Sequence, residues 1–368
     1  MRTIRFHGYG EPGDVLKLEN TVIPSPGANR IRIQVHACGL NPADGALCRG
    51  LFAGNLPRGI GLDVSGTIDA VGEDVDDVRV GDQVFGTPDW AACASAGASD
   101  YAIMDHWALV PPGLDLTDAA ALPMAVETAF RSLAWLGVSG EHTLLVNGAG
   151  TMIGFAAVQM ALLRGSRVIA TAGGTFAERL RAMGATVTPY GDGMVERVRD
   201  IAGGSPDLIL DTAPVNLKLE NAPVGGVLPD LVKIAGGDPR RVLTTTDFAG
   251  AEKWGVRTGI GEPGTEPEGA TLRYDKLGEF AQLAAEGRFI VPVARTFALE
   301  EWRNALDISE SGRAHGKLML LPGYQRTVAP PSAPESFISD ELQKGSEPAR
   351  RPVLPVAHLR PDDTFSYL

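Results

Sequence analysis

Cysteine is scarce, with three residues in a chain of 368 (Cys38, Cys48 and Cys93). Thiols so few and so scattered build neither a disulfide framework nor a four-sulfur metal site, and a reducing, cytoplasmic setting is the expectation. Long apolar runs are lacking as well: none approaches the ~20 residues of a spanning helix. The first residues, Met1-Arg-Thr-Ile-Arg-Phe6, start straight into a strand-like pattern with no apolar signal core. Basic excess is absent. A formal net charge of −12 argues against nucleic acid or an anionic membrane surface as a general partner, although it leaves a local phosphate pocket open. His7, His36, His106, His142, His315 and His358 show no ligand spacing such as H-x-x-x-H. No Ser-His-Asp or paired-carboxylate signature presents itself. What is left, 44% hydrophobic and 21% charged residues, fits a soluble globular protein of roughly two domains.

The most informative stretch is Thr143-Leu-Leu-Val-Asn-Gly-Ala-Gly-Thr-Met-Ile-Gly154-Phe-Ala-Ala-Val-Gln-Met-Ala161. It reads as a buried strand, a tight glycine-rich turn and a helix. Such a turn aims free backbone N–H groups and a helix N-terminus at one spot, which suits an anion and most often a nucleotide pyrophosphate. Gly148, Gly150 and Gly154 are spaced one residue longer than the G-x-G-x-x-G pattern.

Around this segment the chain divides. Residues 1–125 are glycine-rich with short β-type runs, including Ile31-Arg-Ile-Gln-Val-His36 and Asp63-Val-Ser-Gly-Thr-Ile-Asp-Ala-Val71. From 126 to 289 strands alternate with helices: strand 143–147, helix 153–163, strand 167–171, helix 176–183, strand 186–188, a helix near 193–202, strand 207–211, a helix around 228–235, a strand from Arg241, and a helix near 275–286. That alternation implies an α/β domain with a doubly wound parallel sheet. The segment 290–321 looks β-rich again and is expected to complete the first domain. Ala213-Pro-Val is echoed by Ala222-Pro-Val, a short duplication placed in a loop, and Gly259 to Gly269 forms a second loop of the kind that tolerates insertion. Residues 322–368 lack periodicity and read as a flexible C-terminal tail.

These elements resemble the medium-chain dehydrogenase/reductase superfamily, specifically its zinc-free quinone oxidoreductase-like branch, over residues 1–321. The most specific part is Gly61-Leu-Asp-Val-Ser-Gly66-Thr-Ile-Asp-Ala-Val-Gly72, followed by Val80-Gly-Asp-Gln-Val-Phe-Gly86. The spaced glycines fit tight turns between strands of a GroES-like barrel. The resemblance implies a Rossmann-type nucleotide-binding domain beside a GroES-like catalytic domain, and a homodimer. At the turn it implies coenzyme contacts from Gly148, Gly150, Thr151, Met152, Ile153 and Gly154. Thr151 and Met152 stand where the family usually has glycines, a departure that narrows the phosphate path while Thr151 offers a hydroxyl.

For the choice of nucleotide, an NAD-selective site carries Asp or Glu after the second strand. Here that place reads Ala172-Gly173-Gly174-Thr175, without a carboxylate. Arg179 or Arg181, in the next helix, is a candidate for a 2′-phosphate through paired N–H donors. The resemblance adds Tyr190, matching a tyrosine that flanks that phosphate in NADPH-using relatives. NADP(H) is therefore the expected cofactor.

Zinc-dependent relatives use a Cys after a first-domain strand and a His-Glu in a G-H-E segment. The matching places here hold Asn41 and Leu62-Asp63, so neither catalytic nor structural zinc is expected. Without a Lewis acid, a carbonyl must be polarised by hydrogen bonds. Asn41, in the N-P-x-D loop Asn41-Pro-Ala-Asp44, offers an amide to a substrate oxygen or positions the loop, while Asp44 caps a helix or pairs with a cation. Thr128 matches a family threonine that hydrogen-bonds the nicotinamide carboxamide or ribose. Phe52 stands where many relatives have a tyrosine, so either water supplies the proton, another group does (Asn55, Tyr101 and His106 are weak candidates), or the substrate is a quinone that needs little acid catalysis. Phe52, Trp90 and Met124 are expected to wall an apolar substrate pocket between the domains. The expected function is NADPH-dependent, zinc-independent hydride transfer to a quinone or an α,β-unsaturated carbonyl (enone or enoyl thioester). The alternative is a non-catalytic NADP(H)-binding redox sensor or interaction module.

Overall fold

The computed structural model describes residues 1–215, 226–259 and 272–323. The second Ala-Pro-Val copy, nearly all of the loop 259–269 and the tail beyond 323 lie outside the described residues.

Two six-stranded sheets organise the chain. The first has the strand order Val293–Ala298, Lys317–Leu321, Ile31–Leu40, Asp63–Val71, Gln83–Pro88 and Tyr101–Leu109. Ile31–Leu40 also pairs antiparallel with Tyr101–Leu109, which closes four of these strands into a barrel. Alternation sets its core: Ile31, Ile33 and Val35 point inward with Val64, Ile68 and Val84, while Gln34 and His36 face out. A small sheet of Leu16–Asn20, Arg2–Phe6 and Arg58–Gly59 lies beside it.

The second sheet is wholly parallel, in the order Thr186–Thr188, Arg167–Thr171, Thr143–Asn147, Leu208–Asp211, Val242–Thr244 and Arg257–Thr258. Its chain order reverses beside Thr143–Asn147, the switch point where such sheets receive ligands at their carboxyl ends. The helices Met152–Leu163, Gly174–Ala182, Met194–Ala202 and Leu228–Ile234 fall within two residues of the spans expected from the sequence. The helix Met152–Leu163 is buried from Gly154 through Ala161, because neighbouring helices cover the face that the sheet leaves open. Its lone polar side chain in that run, Gln159, is fully used: Nε2 donates to the carbonyls of Phe155 and Ile290, and Oε1 accepts from Ile290 N–H.

The structure corrects three details. The segment 290–321 is not simply β-rich, since the helix Trp302–Glu310 lies between its two strands and packs Trp302, Ala305 and Leu306 into the barrel core. The helix Phe248–Trp254 and the edge strand Arg257–Thr258 extend the parallel sheet by a unit whose pattern is too short to read by periodicity. Gly66 and Gly86 sit inside strands rather than in turns. A Cβ on Gly66 would lie 2.2 Å from the Gln34 carbonyl oxygen, so glycine there permits close strand approach.

Candidate functional site

Each of four adjacent parallel strands is an apolar run that ends in one buried polar residue: Asn147, Thr171, Asp211 and Thr244. The in-register pairing brings these ends side by side. Thr171 Oγ1 donates to Asn147 Oδ1 at 2.7 Å, and Asn147 Nδ2 donates to Asp211 Oδ1 at 2.8 Å. Thr244 Oγ1 donates to Asp211 Oδ2 at 2.9 Å. Burial pushes the Asp211 carboxyl up to about 6, against the pull of Asn147 and Thr244. This row went unnoticed in the sequence, although its signal is plain there: one polar residue closes each apolar run.

The row holds the glycine turn from below. Gly148 N–H donates to Thr171 Oγ1 and Ala149 N–H to the Thr171 carbonyl. Thr212 Oγ1 bonds the carbonyls of Asn147 and Gly148. Gly148 has φ +76°, and a Cβ there would lie 2.5 Å from Ala213 N. A Cβ on Gly154 would meet both the Gly148 carbonyl oxygen and Thr212 Oγ1 at 2.6 Å. Gly150 has no such crowding, its nearest atom being a Phe176 ring carbon at 3.4 Å. Thr151 caps the helix: its Oγ1 accepts from Gly154 N–H at 3.0 Å and donates to Thr212 Oγ1 at 2.9 Å. The hydroxyl expected to meet a phosphate is thus engaged within the chain. Met152 and Ile153 occupy the first helical turn, where N–H groups have no intrahelical acceptor and point at the space above the turn.

At the end of the next strand, Ala172 is buried and Gly173 opens the helix Gly174–Ala182. A Cβ on Gly173 would be 3.7 Å from the hydroxyl of Tyr190, whose side chain is 66% exposed over this point. Arg197 braces the Tyr190 loop by donating to the carbonyls of Pro189 and Asp192. Arg179 lies in the last turn of the helix, away from Gly174, and Arg181 donates to the Val187 carbonyl. The sequence reading missed His315. Its Nδ1 is 3.2 Å from Thr175 Oγ1, bringing the chain that returns to the barrel against the helix N-terminus.

The second cluster lies where three barrel strands meet. Leu318 pairs with Leu40 and Gly39 with Asp63, so Asn41, Asp63 and Lys317 converge. Lys317 Nζ donates to Asp63 Oδ2 and to Asn41 Oδ1, each at 2.5 Å, and Asn41 Nδ2 donates to Asp63 Oδ2 at 2.9 Å. Asp63 Oδ1 accepts from the Met124 N–H at 2.9 Å, fastening the start of the helix Pro123–Leu136. Gly39 makes room for the lysine stem, since a Cβ there would lie 2.7 Å from Lys317 Cε. Asn41's amide is therefore spent on Asp63, and the Lys317 ammonium takes Asn41 Oδ1 and Asp63 Oδ2. Among the described residues no group of three His, Cys, Asp or Glu is placed to hold a metal ion.

Asp44 caps its helix rather than pairing with a cation. Its Oδ2 accepts from Asn41 N–H at 2.7 Å and its Oδ1 from Gly61 N–H at 2.6 Å, and complete burial pushes the carboxyl up to about 6. On the helix Pro123–Leu136, Met124 and Thr128 are four apart and only partly buried on an otherwise buried first half. Thr128 Oγ1 donates to Glu127, which itself holds Arg131 through two bonds. Phe52 and Trp90 pack at 6.2 Å between ring centres. Of the weak proton-donor candidates, Asn55 is exposed in the Phe52 loop, Tyr101 lies under Arg32, and His106 stacks on Tyr274 beside Asp105, whose carboxylate raises the imidazole pKa.

Comparison with known proteins agrees with this geometry. The alcohol dehydrogenase GroES-like domain matches residues 27–123, and the zinc-binding dehydrogenase domain matches 183–320. A quinone oxidoreductase from Lama guanicoe is 39% identical over 180 residues, 47% of this chain and 53% of that protein. The chain thus spans about half the length of such curated relatives at this level of identity. The chloroplastic quinone-oxidoreductase QR1 of Triphysaria versicolor is 26% identical over 340 residues, covering 88% of this chain and 98% of its own length. The solved quinone oxidoreductase of Coxiella burnetii superposes with a TM-score of 0.70 at 25% identity, covering 87% of this chain and 99% of that one. No helix among the described residues is long and apolar enough to cross a membrane. With a GroES-like barrel, a parallel sheet bearing a glycine turn at its switch point, and these relatives, the chain belongs to the medium-chain dehydrogenase/reductase superfamily, in its quinone oxidoreductase-like branch.

Proposed function

We propose that this chain is an NADPH-dependent, zinc-independent oxidoreductase that reduces a quinone or an α,β-unsaturated ketone or thioester. The observation that supports it most is the turn Gly148–Gly154, built with no room for side chains at its two ends and backed by a row of buried polar strand ends. The open N–H groups of Met152 and Ile153 suit a diphosphate. When bound, the reduced nicotinamide would supply the hydride.

The chain's own residues would orient and shield. Thr128 and Met124, the partly buried residues four apart on their helix, would line the substrate side. Asn41 acts by holding the loop after Leu40, because its amide is taken by Asp63. The Lys317 ammonium, seated where zinc-dependent relatives have metal ligands, favours the zinc-independent reading. NADPH is favoured by the missing carboxylate after Thr171 and by the grouping of Gly173, Tyr190 and His315 near one helix N-terminus. Arg179, in the last turn of that helix, would have to extend back toward its N-terminus to meet the 2′-phosphate. A homodimer is the accompanying expectation, through the edge strand Arg257–Thr258, which pairs on one side only among the described residues.

The test is calorimetry with NADPH and NADH, followed by loss of NADPH absorbance with menadione, an enone and an enoyl thioester. Saturable NADPH binding and turnover of at least one acceptor are expected. Binding without turnover across the panel would return the protein to the redox-sensor reading. The double variant Arg179→Ala, Tyr190→Ala should raise KM for NADPH about tenfold more than KM for NADH, the loss of one charge-assisted contact. Equal effects would overturn the 2′-phosphate assignment.

A further inference from the structure

Among the described residues three cationic side chains are buried: Arg58, Arg131 and Lys317. Arg131 is held by Glu127 at 2.6 Å and Lys317 by Asp63 at 2.5 Å. Arg58, only 3% exposed, meets no carboxylate among the described residues. Its Nη1 donates to the Phe52 carbonyl at 2.7 Å, its guanidinium lies 5.3 Å from the centre of the Trp90 ring, and its Nε has no hydrogen-bond partner. A buried charge without a counter-ion costs several kcal/mol, so a chain of net charge −12 that leaves one unpaired retains it against stability.

The surroundings indicate what it serves. Phe52, at φ +51° and 51% exposed, tilts its ring against Trp90 over the same guanidinium. Residues 52–56, which lie over Arg58, are all exposed, and the loop is tied down by Tyr9, whose hydroxyl donates to the Gly54 carbonyl and accepts from Gly54 N–H. Short stretches of chain link this patch to the Asn41–Asp63 cluster. The helix Pro42–Cys48 starts at Asn41 and ends just before the Phe52 loop, a span of roughly 10 Å at 1.5 Å per residue. Thr87, three residues before Trp90, donates to the Leu62 carbonyl next to Asp63.

Resting on the function proposed above, we propose that Arg58, Phe52 and Trp90 form a substrate subsite that takes an anionic group attached to a quinoid or conjugated ring. The ring lies against Phe52 and Trp90, and the anion (a carboxylate, sulfonate or phosphate on the substrate) pairs with the Nε edge of Arg58 once the exposed loop yields. The site therefore prefers charged quinones and enones to neutral ones.

The probes are 1,4-naphthoquinone-2-sulfonate and its neutral parent, 1,4-naphthoquinone, titrated without coenzyme by calorimetry and then assayed with NADPH. The wild-type chain should bind the sulfonate about tenfold more tightly, the worth of one charge-assisted pair. Arg58→Met should abolish that ratio and Arg58→Lys should keep part of it, with circular dichroism checking that each variant folds. Equal or weaker binding of the sulfonate by the wild-type chain overturns the proposal, whether or not the variants fold. If neither quinone is reduced, the quinone arm of the proposed function falls while the binding ratio still judges the subsite.

Discussion

Both sheets gather buried polar residues at the tips of their strands, yet they handle them differently. In the parallel sheet, Thr171, Asn147, Asp211 and Thr244 share hydrogen bonds along one row, with one carboxyl and no buried cation in it. In the barrel, Asn41, Asp63 and Lys317 form an ion pair with an amide bridging both members. The first arrangement gives a turn a fixed floor at modest cost, since each group finds a partner. The second joins residues 254 apart in sequence and depends on a full counter-charge. A row of shared hydrogen bonds should tolerate the loss of one member better than an ion pair does.

The sharpest break of that comparison is Lys317→Met. It strands the Asp63 carboxylate in the core and should destabilise the protein by about 3–5 kcal/mol in urea unfolding. The double variant Lys317→Met, Asp63→Asn should recover more than half of the loss. A single-variant cost below about 1 kcal/mol would mean the pair behaves like a surface one.

Asn147→Leu tests the other side. It removes the acceptor of Thr171 and one donor to Asp211, at a cost of about 1–3 kcal/mol. Because Thr171 also holds Gly148 N–H, NADPH affinity measured by calorimetry should fall about tenfold. A stability loss with unchanged affinity would separate the row from the turn.

The smallest effect concerns pH. Asp44 and Asp211 keep their protons to about 6 in the folded chain, against an ordinary value of 3.8. Between those values the folded state binds more protons than the unfolded one, so their contribution to stability is present at low pH and lost as pH rises through about 6. Asp211→Asn should flatten this dependence by on the order of 1–2 kcal/mol between pH 4 and 6.5. Tm followed across that range checks it, and an unchanged slope would remove Asp211 as a contributor. Asparagine keeps the oxygen that accepts from Asn147 Nδ2 and Ala213 N–H and gives up the bond from the Thr244 hydroxyl. Asp44→Asn should be costlier, since Asp44 accepts N–H bonds on both oxygens and asparagine has one.

Much of the architecture was legible in the residues themselves. Apolar runs such as Leu144-Leu-Val146 and Leu208-Ile-Leu210, spaced by helical segments, predict a parallel sheet, and Gly148 and Gly154 mark its ligand-facing turn. Those signals are local: periodicity and turn chemistry act over a few residues. Tertiary structure alone decided that the Asn41 amide is spent on Asp63, that Lys317 closes that cluster, that Thr151's hydroxyl is engaged within the chain, and that Arg58 is buried without a counter-charge among the described residues. No spacing rule announces these facts, because hydrogen bonds and buried charges are settled by which strands become neighbours, and that is fixed only when the whole barrel closes.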